Sequence, residues 1–242
     1  LNIFSVIYHI PRHVARCPCC AKIGKLTLEN MKVLITGSSG FLGGAFLDFI
    51  KKRNIPYVIY DRNNPEKLTL DFDSVVNFGG LTPNSDIKNR VPSTEMYHSA
   101  NVDGTEVLLK IIAKNKNLKR FINIGTAAEY GFSGAPIDED IEEKPNGTYG
   151  ESKLEQSRLV EKFSKEKGVK AINLRLFNVA GLPKRSISKY GIVSNPFIFE
   201  SLVHQFGVNF NGKIIIGNKD DVRDYVDIED IMETIFLALE TK

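Results

Sequence analysis

From residue 31 onward, short runs of apolar and β-branched residues alternate with helical stretches. The short runs have the length of buried strands. Strands are predicted at residues 33–35, 57–60, 75–78, 121–124, 171–174 and 214–216, and helices at residues 41–52, 101–114, 148–167 and 230–239. This alternation is typical of a parallel sheet covered by helices, so we expect an α/β protein with a Rossmann-type, doubly wound parallel sheet.

A glycine-rich turn, Thr-Gly-Ser-Ser-Gly-Phe-Leu-Gly, occupies residues 36–43 between the first predicted strand and helix. Such glycines let the backbone turn tightly and approach a pyrophosphate, and the helix N-terminus offers N–H groups and a positive dipole end. A glycine motif alone also fits a plain tight turn, but the strand before it and the helix after it favour dinucleotide binding. The predicted phosphate-binding residues are Gly37, Ser39, Gly40, Phe41, Leu42 and Gly43.

Asp61 and Arg62 follow the second predicted strand. A carboxylate at this position is placed to bind the ribose hydroxyls of NAD, whereas a neighbouring arginine can neutralise the 2′-phosphate of NADP. Asp61 therefore favours NAD slightly, and NADP remains open.

The sequence Thr-Tyr-Gly-Glu-Ser-Lys at residues 148–153 opens the longest predicted helix, which Gly168 ends. Thr148 and Glu151 have the spacing of a capping box. The same residues place Tyr149 and Lys153 four positions apart on one helix face. The segment alone fits either a capped, solvated helix or a tyrosine and lysine arranged for proton transfer.

The charge distribution excludes one class of partner. The net charge of +3 lies in residues 1–30, where Arg12, Arg16, Lys22 and Lys25 outnumber Glu29. The rest of the chain is balanced, which argues against a basic nucleic-acid-binding face. No apolar run approaches the ~20 residues that a membrane helix needs. We expect no nucleic acid and no membrane as partners.

Residues 1–30 differ in character from the rest of the chain. They contain all three cysteines, Cys17, Cys19 and Cys20, and Met31 directly precedes the first strand. The cysteine spacing matches no known zinc site, so we expect no metal. An extension outside the fold is predicted, with a transit peptide as the alternative. A body without cysteine suits a reducing compartment, and a cytoplasmic location is expected.

Ordered blocks of the sequence resemble the extended short-chain dehydrogenase/reductase family, and within it the NAD-dependent epimerase/dehydratase branch that acts on nucleotide sugars. The glycine-rich turn and the Tyr149/Lys153 pair are two of these blocks. The others are residues 75–80 (VVNFGG), 101–105 (NVDGT), 125–131 (GTAAEYG), 174–179 (LRLFNV) and 223–226 (RDYV). The resemblance extends from Met31 to the C-terminus.

The resemblance implies roles for individual residues. Thr126, Tyr149 and Lys153 would be catalytic, with Tyr149 and Lys153 also contacting the cofactor beside Gly79. The substrate, a nucleotide-activated sugar, would contact Thr82, Thr126, Asn178 and Arg223. Tyr149 would act as acid and base in hydride transfer at C4, and Thr126 would hydrogen-bond the same sugar oxygen. Lys153, together with the positive nicotinamide of the oxidised cofactor, would lower the pKa of Tyr149.

Two departures from the family pattern limit the reaction and the fold. Ala127 and Ala128 stand where the 4,6-dehydratases carry an acidic pair, so dehydration is disfavoured, and both 4-epimerisation and 4-ketoreduction stay open. Only eleven residues separate Asp61 from Asp73, where the family usually has a strand and a helix. A strand at the sheet edge can be lost without opening the core.

Three segments are expected: the extension 1–30, an NAD(P)-binding Rossmann domain 31–180, and a small substrate-binding lobe 181–242. For the lobe, a truncated C-terminus and a return of Rossmann elements are both open. A homodimer is also open. The alternative to an enzyme is a non-catalytic NAD(P)-binding sensor or scaffold of the same fold, although such a protein has no need of Thr126, Tyr149 and Lys153 together.

Overall fold

The computed structural model describes residues 31–83, 85, 92–131, 136–181 and 224–241. Five parallel strands form one sheet in the order β2-β1-β3-β4-β5. They are β1 (Val33–Thr36), β2 (Tyr57–Ile59), β3 (Ser74–Asn77), β4 (Arg120–Thr126) and β5 (Lys170–Leu176). The strand order reverses between β1 and β3, as it does in doubly wound folds, which confirms the predicted class.

Helices cover both faces of this sheet because alternate strand residues point to opposite sides. The helices are α1 (Phe41–Lys52), α2 (Thr94–Tyr97), α3 (Gly104–Ile112), α4 (Thr148–Lys167) and α5 (Ile228–Glu240). Val33 and Ile35 of β1 join a core formed with α1 and α5, whereas Leu34 joins a core formed with α3 and α4. The sheet is therefore buried between two apolar layers.

A six-residue π-helical turn, His98–Asp103, joins α2 to α3, where the sequence predicts an ordinary helix from residue 101. The turn places the fully buried Asn101 toward α4, since its amide donates to the Ser152 hydroxyl at 2.9 Å. π-Helical turns are rare and often accompany functional sites.

The sheet edge agrees with the predicted deletion. In the described stretch between Asp61 and Asp73 there is one 3₁₀ turn, Pro65–Lys67, and no strand. The three-residue β2 is consequently the edge strand, next to β1 alone.

After β5, the described chain forms a second, separate sheet of two strands and one further helix. Strands β6 (Asn178–Ala180) and β7 (Tyr225–Asp227) form a small parallel pair, and α5 follows β7 directly. The predicted strand at residues 214–216 and the extension 1–30 lie outside the described residues. The boundary proposed at residue 180 stays a prediction.

The predicted capping box at α4 is wrong. Gly147, with φ 140°, precedes the helix, and Thr148 is already its first helical residue, so the Thr148 hydroxyl does not occupy the capping position. The C-terminal prediction is confirmed, because Gly168 ends α4 in the left-handed conformation with φ 68°.

Within the described ranges, no helix has both the length and the apolar character needed to cross a membrane. The same part of the chain contains no cluster of His, Cys, Asp and Glu side chains suited to holding a metal ion.

Candidate active site

The glycine-rich turn packs closely against the residue that follows β3, and this close approach requires glycine. Gly37 has φ 61°, and a Cβ atom on it would lie 2.8 Å from the carbonyl oxygen of Phe78. A Cβ atom on Gly43 would lie 2.2 Å from the oxygen of Gly37. These contacts draw the start of α1 against the carboxyl end of the sheet, with Ser39 and Gly40 exposed at the turn.

The start of α1 fits a dinucleotide pyrophosphate. Among the described residues, no side chain caps this helix at Gly40, and its first turn contains no acidic residue. The first turn of α1 therefore places no carboxylate of its own at the positive end of the helix dipole. Binding of the pyrophosphate by Phe41, Leu42 and Gly43 stays a prediction.

Asp61 and Arg62 are both exposed beyond the end of β2. The carboxylate of Asp61 accepts hydrogen bonds from the Asn64 side chain at 2.7 Å and from the Asn63 backbone N–H at 2.9 Å. These bonds, first that of Asn64 and then that of Asn63, lower the pKa of Asp61. The group is thus held as a carboxylate that can accept hydrogen bonds from ribose hydroxyls.

The loop after β3 is tied to the sheet and to the π-helical turn. The Gly79 N–H donates to the Thr36 hydroxyl at 2.8 Å, and Asn101 bonds both backbone groups of Leu81, at 2.6 and 3.2 Å. Thr82 is exposed one residue further on and hydrogen-bonds Ser85. The loop is therefore fixed up to Leu81, and the substrate role of Thr82 stays a prediction.

Thr126 and Tyr149 meet at the carboxyl end of β4. The Thr126 side chain lies close enough to the Tyr149 phenol to lower its pKa through a hydrogen-bonding interaction. The Tyr149 ring also packs against Tyr97 of α2, with ring centroids 5.5 Å apart. A surface pocket adjoins this pair, lined by Pro92, Tyr97, Ala128, Asn146, Gly147, Thr148, Tyr149 and Gly150. The structure thus joins two of the three predicted catalytic residues beside one pocket.

Lys153 lies buried one helical turn from Tyr149. Its ammonium group donates to the Ile124 carbonyl oxygen at 2.7 Å and to Oε1 of Gln156. Gln156 in turn donates to the Thr105 hydroxyl at 2.7 Å and to the Gly79 carbonyl oxygen at 3.3 Å. Lys153 is therefore fixed between β4, α3 and the loop at Gly79, close to the predicted cofactor side.

On balance the protein's own groups do not lower the pKa of Tyr149, and the lowering expected from Lys153 together with an oxidised nicotinamide stays a prediction. Burial raises the pKa of Tyr149 to about 12, against the opposing effect of the Thr126 hydrogen bond, and the charge of Glu129 adds to the rise. Burial likewise lowers the pKa of Lys153 to about 8. Both groups are shifted toward their neutral forms, because desolvation penalises charge.

Sequence reasoning missed Glu129 and Arg175. Glu129 is fully buried in the 3₁₀ turn Ala127–Glu129, directly after β4, and pairs with the buried Arg175 of β5 at 2.8 Å. An available signal was the arginine within the apolar run Leu-Arg-Leu-Phe, because a charge in a buried strand needs an opposite charge nearby.

The remaining predicted substrate residues are not brought to Tyr149 by any contact among the described residues. Asn178 is exposed at the start of β6, and its side-chain amide donates to the Asp224 carbonyl oxygen at 3.0 Å. Arg223 lies outside the described residues. Both substrate roles stay predictions.

A family model described as the NAD dependent epimerase/dehydratase family matches residues 33–242. Curated relatives include a UDP-glucose 4-epimerase of Lactobacillus helveticus, 27% identical, with 87% of this chain and 72% of the relative covered. A dTDP-4-dehydro-6-deoxyglucose reductase of Escherichia coli is 26% identical, with 86% and 72% covered. The predicted family resemblance is confirmed.

Solved structures share the fold. The UDP-glucuronic acid 4-epimerase of Bacillus cereus, in complex with UDP-glucuronic acid and NAD, superposes with a TM-score of 0.67 at 23% identity, covering 88% of this chain and 74% of that one. A Pseudomonas aeruginosa structure complexed with NADPH gives a TM-score of 0.65 at 21% identity, covering 87% and 73%. This likeness confirms the Rossmann fold.

Proposed function

Because the chain belongs to the NAD dependent epimerase/dehydratase family, we propose that it transfers hydride between C4 of a nucleotide-activated sugar and NAD or NADP. The observation that carries the proposal is the convergence of Thr126, Tyr149 and Lys153 at the carboxyl end of β4, where Tyr149 lines a pocket. Hydrogen bonds through Gln156 and Gly79 link Lys153 to Thr36, the first residue of the glycine-rich turn. Ligands in open α/β sheets bind at this edge, where the strand order reverses.

Tyr149 is the proposed acid and base. When the sugar is oxidised, the C4 hydroxyl gives its proton to the Tyr149 oxygen as the hydride leaves C4; in reduction, Tyr149 returns the proton to the same oxygen. Thr126 hydrogen-bonds the phenol and orients it toward the sugar. When bound, an oxidised nicotinamide would supply the hydride acceptor and a positive charge that favours phenolate. Lys153 adds its own charge from one turn away.

The cofactor would lie along the edge formed by the glycine-rich turn, Asp61, Gly79 and Lys153. Gly37 and Gly43 keep the turn tight, and the N-terminal N–H groups of α1 that follow it would bind the pyrophosphate. Asp61, held as a carboxylate, favours the ribose of NAD, and Arg62 beside it keeps NADP open.

The net reaction is 4-epimerisation or 4-ketoreduction. The half-exposed alanines Ala127 and Ala128 offer no acid to expel water, which disfavours 4,6-dehydration. The two outcomes differ in stoichiometry, because an epimerase regenerates its cofactor and a reductase consumes it.

We also propose that Thr82, Asn178 and Arg223 contact the substrate. The chain would consist of a Rossmann domain (31–180) and a substrate lobe (181–242). A cytoplasmic location and a homodimer complete the proposal. Sedimentation of the purified chain over a range of concentrations would show whether the homodimer forms.

The test combines cofactor binding with a screen of UDP-, GDP- and dTDP-sugars, in which NAD(P)H absorbance and sugar products are both followed. We expect turnover by the wild type and a loss of about 100-fold or more in kcat for Tyr149→Phe, since proton transfer contributes roughly that much. Cofactor affinity should change little.

Tyr57→Phe is the matched control, because Tyr57 is the first residue of β2, the outermost strand of the sheet on the side away from β4. It should retain wild-type turnover. Equal turnover by Tyr149→Phe and wild type contradicts the catalytic assignment, and cofactor binding without turnover of any sugar favours the non-catalytic alternative.

A further inference from the structure

The buried ion pair of Glu129 and Arg175 contacts Thr126, the residue that carries the proposed catalytic hydroxyl. We propose that Glu129, held by Arg175, is a positioning residue that fixes Thr126 against Tyr149. The effect on catalysis rests on the proposed function, in which Glu129 and Arg175 contact neither the cofactor nor the substrate.

Hydrogen bonds within the 3₁₀ turn Ala127–Glu129 fix the position of Thr126. One carboxylate oxygen accepts the Thr126 backbone N–H at 2.9 Å. The Thr126 hydroxyl in turn accepts the Ala128 N–H at 3.3 Å, which completes a capping box around the 3₁₀ turn. The backbone and the side chain of Thr126 are therefore both held by the turn that Glu129 ends.

The second carboxylate oxygen anchors the turn to its surroundings. It accepts the Arg175 guanidinium at 2.8 Å and the Ser157 hydroxyl of α4 at 2.9 Å. Since α4 also carries Tyr149, the same carboxylate joins the element that bears Thr126 to the element that bears its partner. A shift of Glu129 would change the distance between the two hydroxyls.

The strands provide space for this carboxylate. A Cβ atom on Gly125 would lie 2.6 Å from Oε1 of Glu129, so a side chain at this position would displace the carboxylate. Gly125 is also the residue that pairs with Arg175 in the β4–β5 register. The sheet thus sets the arginine beside the opening that the glycine creates.

Stability alone gives little reason for this arrangement. Glu129 and Arg175 are almost fully removed from water, with side-chain exposures of 0% and 2%. Burying two charges costs desolvation energy that their attraction repays only with good geometry, and an apolar pair of similar volume is often as stable. A hydrogen-bonded carboxylate, unlike an apolar side chain, can hold the Thr126 N–H in one position.

The electrostatics agree with this placement. Among the described residues, the titratable groups that act on the Tyr149 phenol are Glu129 and Tyr97. The charge of Glu129 raises the pKa of Tyr149 and also that of Lys153, against the effect of its burial. Glu129 is therefore close enough to act on both groups.

The first test is Glu129→Gln, which keeps the shape and weakens the acceptor. We expect kcat to fall by about tenfold or more, because small displacements of catalytic groups are costly, while KM and NAD affinity stay within about twofold. Glu143→Gln is the matched control. Glu143 contacts the same Arg175 guanidinium at 2.5 Å from the outer side and should leave kcat unchanged.

The double variant Glu129→Leu/Arg175→Met is tested alongside, because it removes both charges and leaves neither buried alone. It should melt as a folded protein and still lose kcat. A double variant or a folded Glu129→Gln with kcat within twofold of wild type would overturn the proposal.

Amide hydrogen exchange at Thr126 gives a reading that needs no substrate. We expect exchange about tenfold faster, or more, in the double variant than in wild type and Glu143→Gln. Unchanged exchange overturns the positioning role. If wild type turns over no nucleotide sugar, the proposed function fails, while faster exchange still supports the role of Glu129 in holding Thr126.

Discussion

At the scale of single residues, the site contains a half-buried tyrosine and a buried lysine whose pKa values desolvation shifts in opposite directions. The pKa of Tyr149 is raised to about 12 and that of Lys153 is lowered to about 8. Helix periodicity was sufficient to predict that the two lie one turn apart. It could not reveal their burial, which depends on β4, α2 and the 3₁₀ turn around them.

The lowered pKa of Lys153 predicts a pH dependence of stability. Between about pH 8 and 10.5 the unfolded chain binds a proton that folded Lys153 has lost, so stability rises with pH in this window and falls as pH drops toward 8. We expect wild type to gain about 2 to 3 kcal/mol relative to Lys153→Met between pH 7 and 10. Urea unfolding at each pH measures this gain.

The exposed Lys52 supplies the control. Lys52→Met should follow the wild-type pH dependence across the same range. A constant difference between wild type and Lys153→Met at all pH values would show that Lys153 does not titrate in this window.

At the scale of elements, a chain of buried polar side chains crosses four strands. The Thr36 hydroxyl of β1 donates to Asn77 of β3 at 2.6 Å, Asn77 donates to Asn123 of β4 at 3.0 Å, and Asn123 donates to Asn173 of β5 at 3.0 Å. These four residues are direct partners in the strand register. The chain fixes that register, because a slip by one residue would leave every amide without its partner.

Asn123→Leu should lower the free energy of unfolding by about 3 kcal/mol, since the buried amides of Asn77 and Asn173 would each lose a partner. Chemical denaturation measures the loss. Asn117→Leu, at an exposed asparagine, should change stability by less than about 0.5 kcal/mol. A similar loss in both variants would contradict the role of the buried chain.

The pattern of apolar runs was sufficient to predict the sheet and its helices, since strand and helix periods follow from backbone geometry. It failed where contacts distant in sequence decide the outcome. The Thr148/Glu151 spacing predicted a capping box, but the box forms at Thr126 and Glu129, where Arg175 and Ser157 fix the glutamate. No local pattern records those partners.

At the scale of the whole molecule, α5 joins the end of the described chain to its beginning. Ile235 of α5 is fully buried in the core that α1 and β1 share. Phe236 meets Phe49 of α1 with ring centroids 5.9 Å apart, and Glu233 pairs with Arg53 at 2.5 Å. The helix therefore supports the element whose N-terminal turn forms the proposed cofactor cradle.

Ile235→Ala should destabilise the entire described fold by about 3 kcal/mol through the cavity it leaves. We expect one cooperative transition at lower temperature, seen equally by near- and far-ultraviolet circular dichroism. Leu237→Ala, at a position 38% exposed, is the control with little effect. A separate early transition would show that α5 unfolds independently of the sheet.

The π-helical turn His98–Asp103 makes chain length itself a constraint. Before it, Tyr97 packs on Tyr149; after it, Thr105 accepts the hydrogen bond of Gln156. Removing one residue from the turn would rotate one side against the other by about 100° and shorten the path by about 1.5 Å. One of the two contacts would then be lost. The exposed positions of the turn should tolerate substitution. An insertion or a deletion, in contrast, would disturb the relative placement of Tyr97 and Thr105 and so affect the active site.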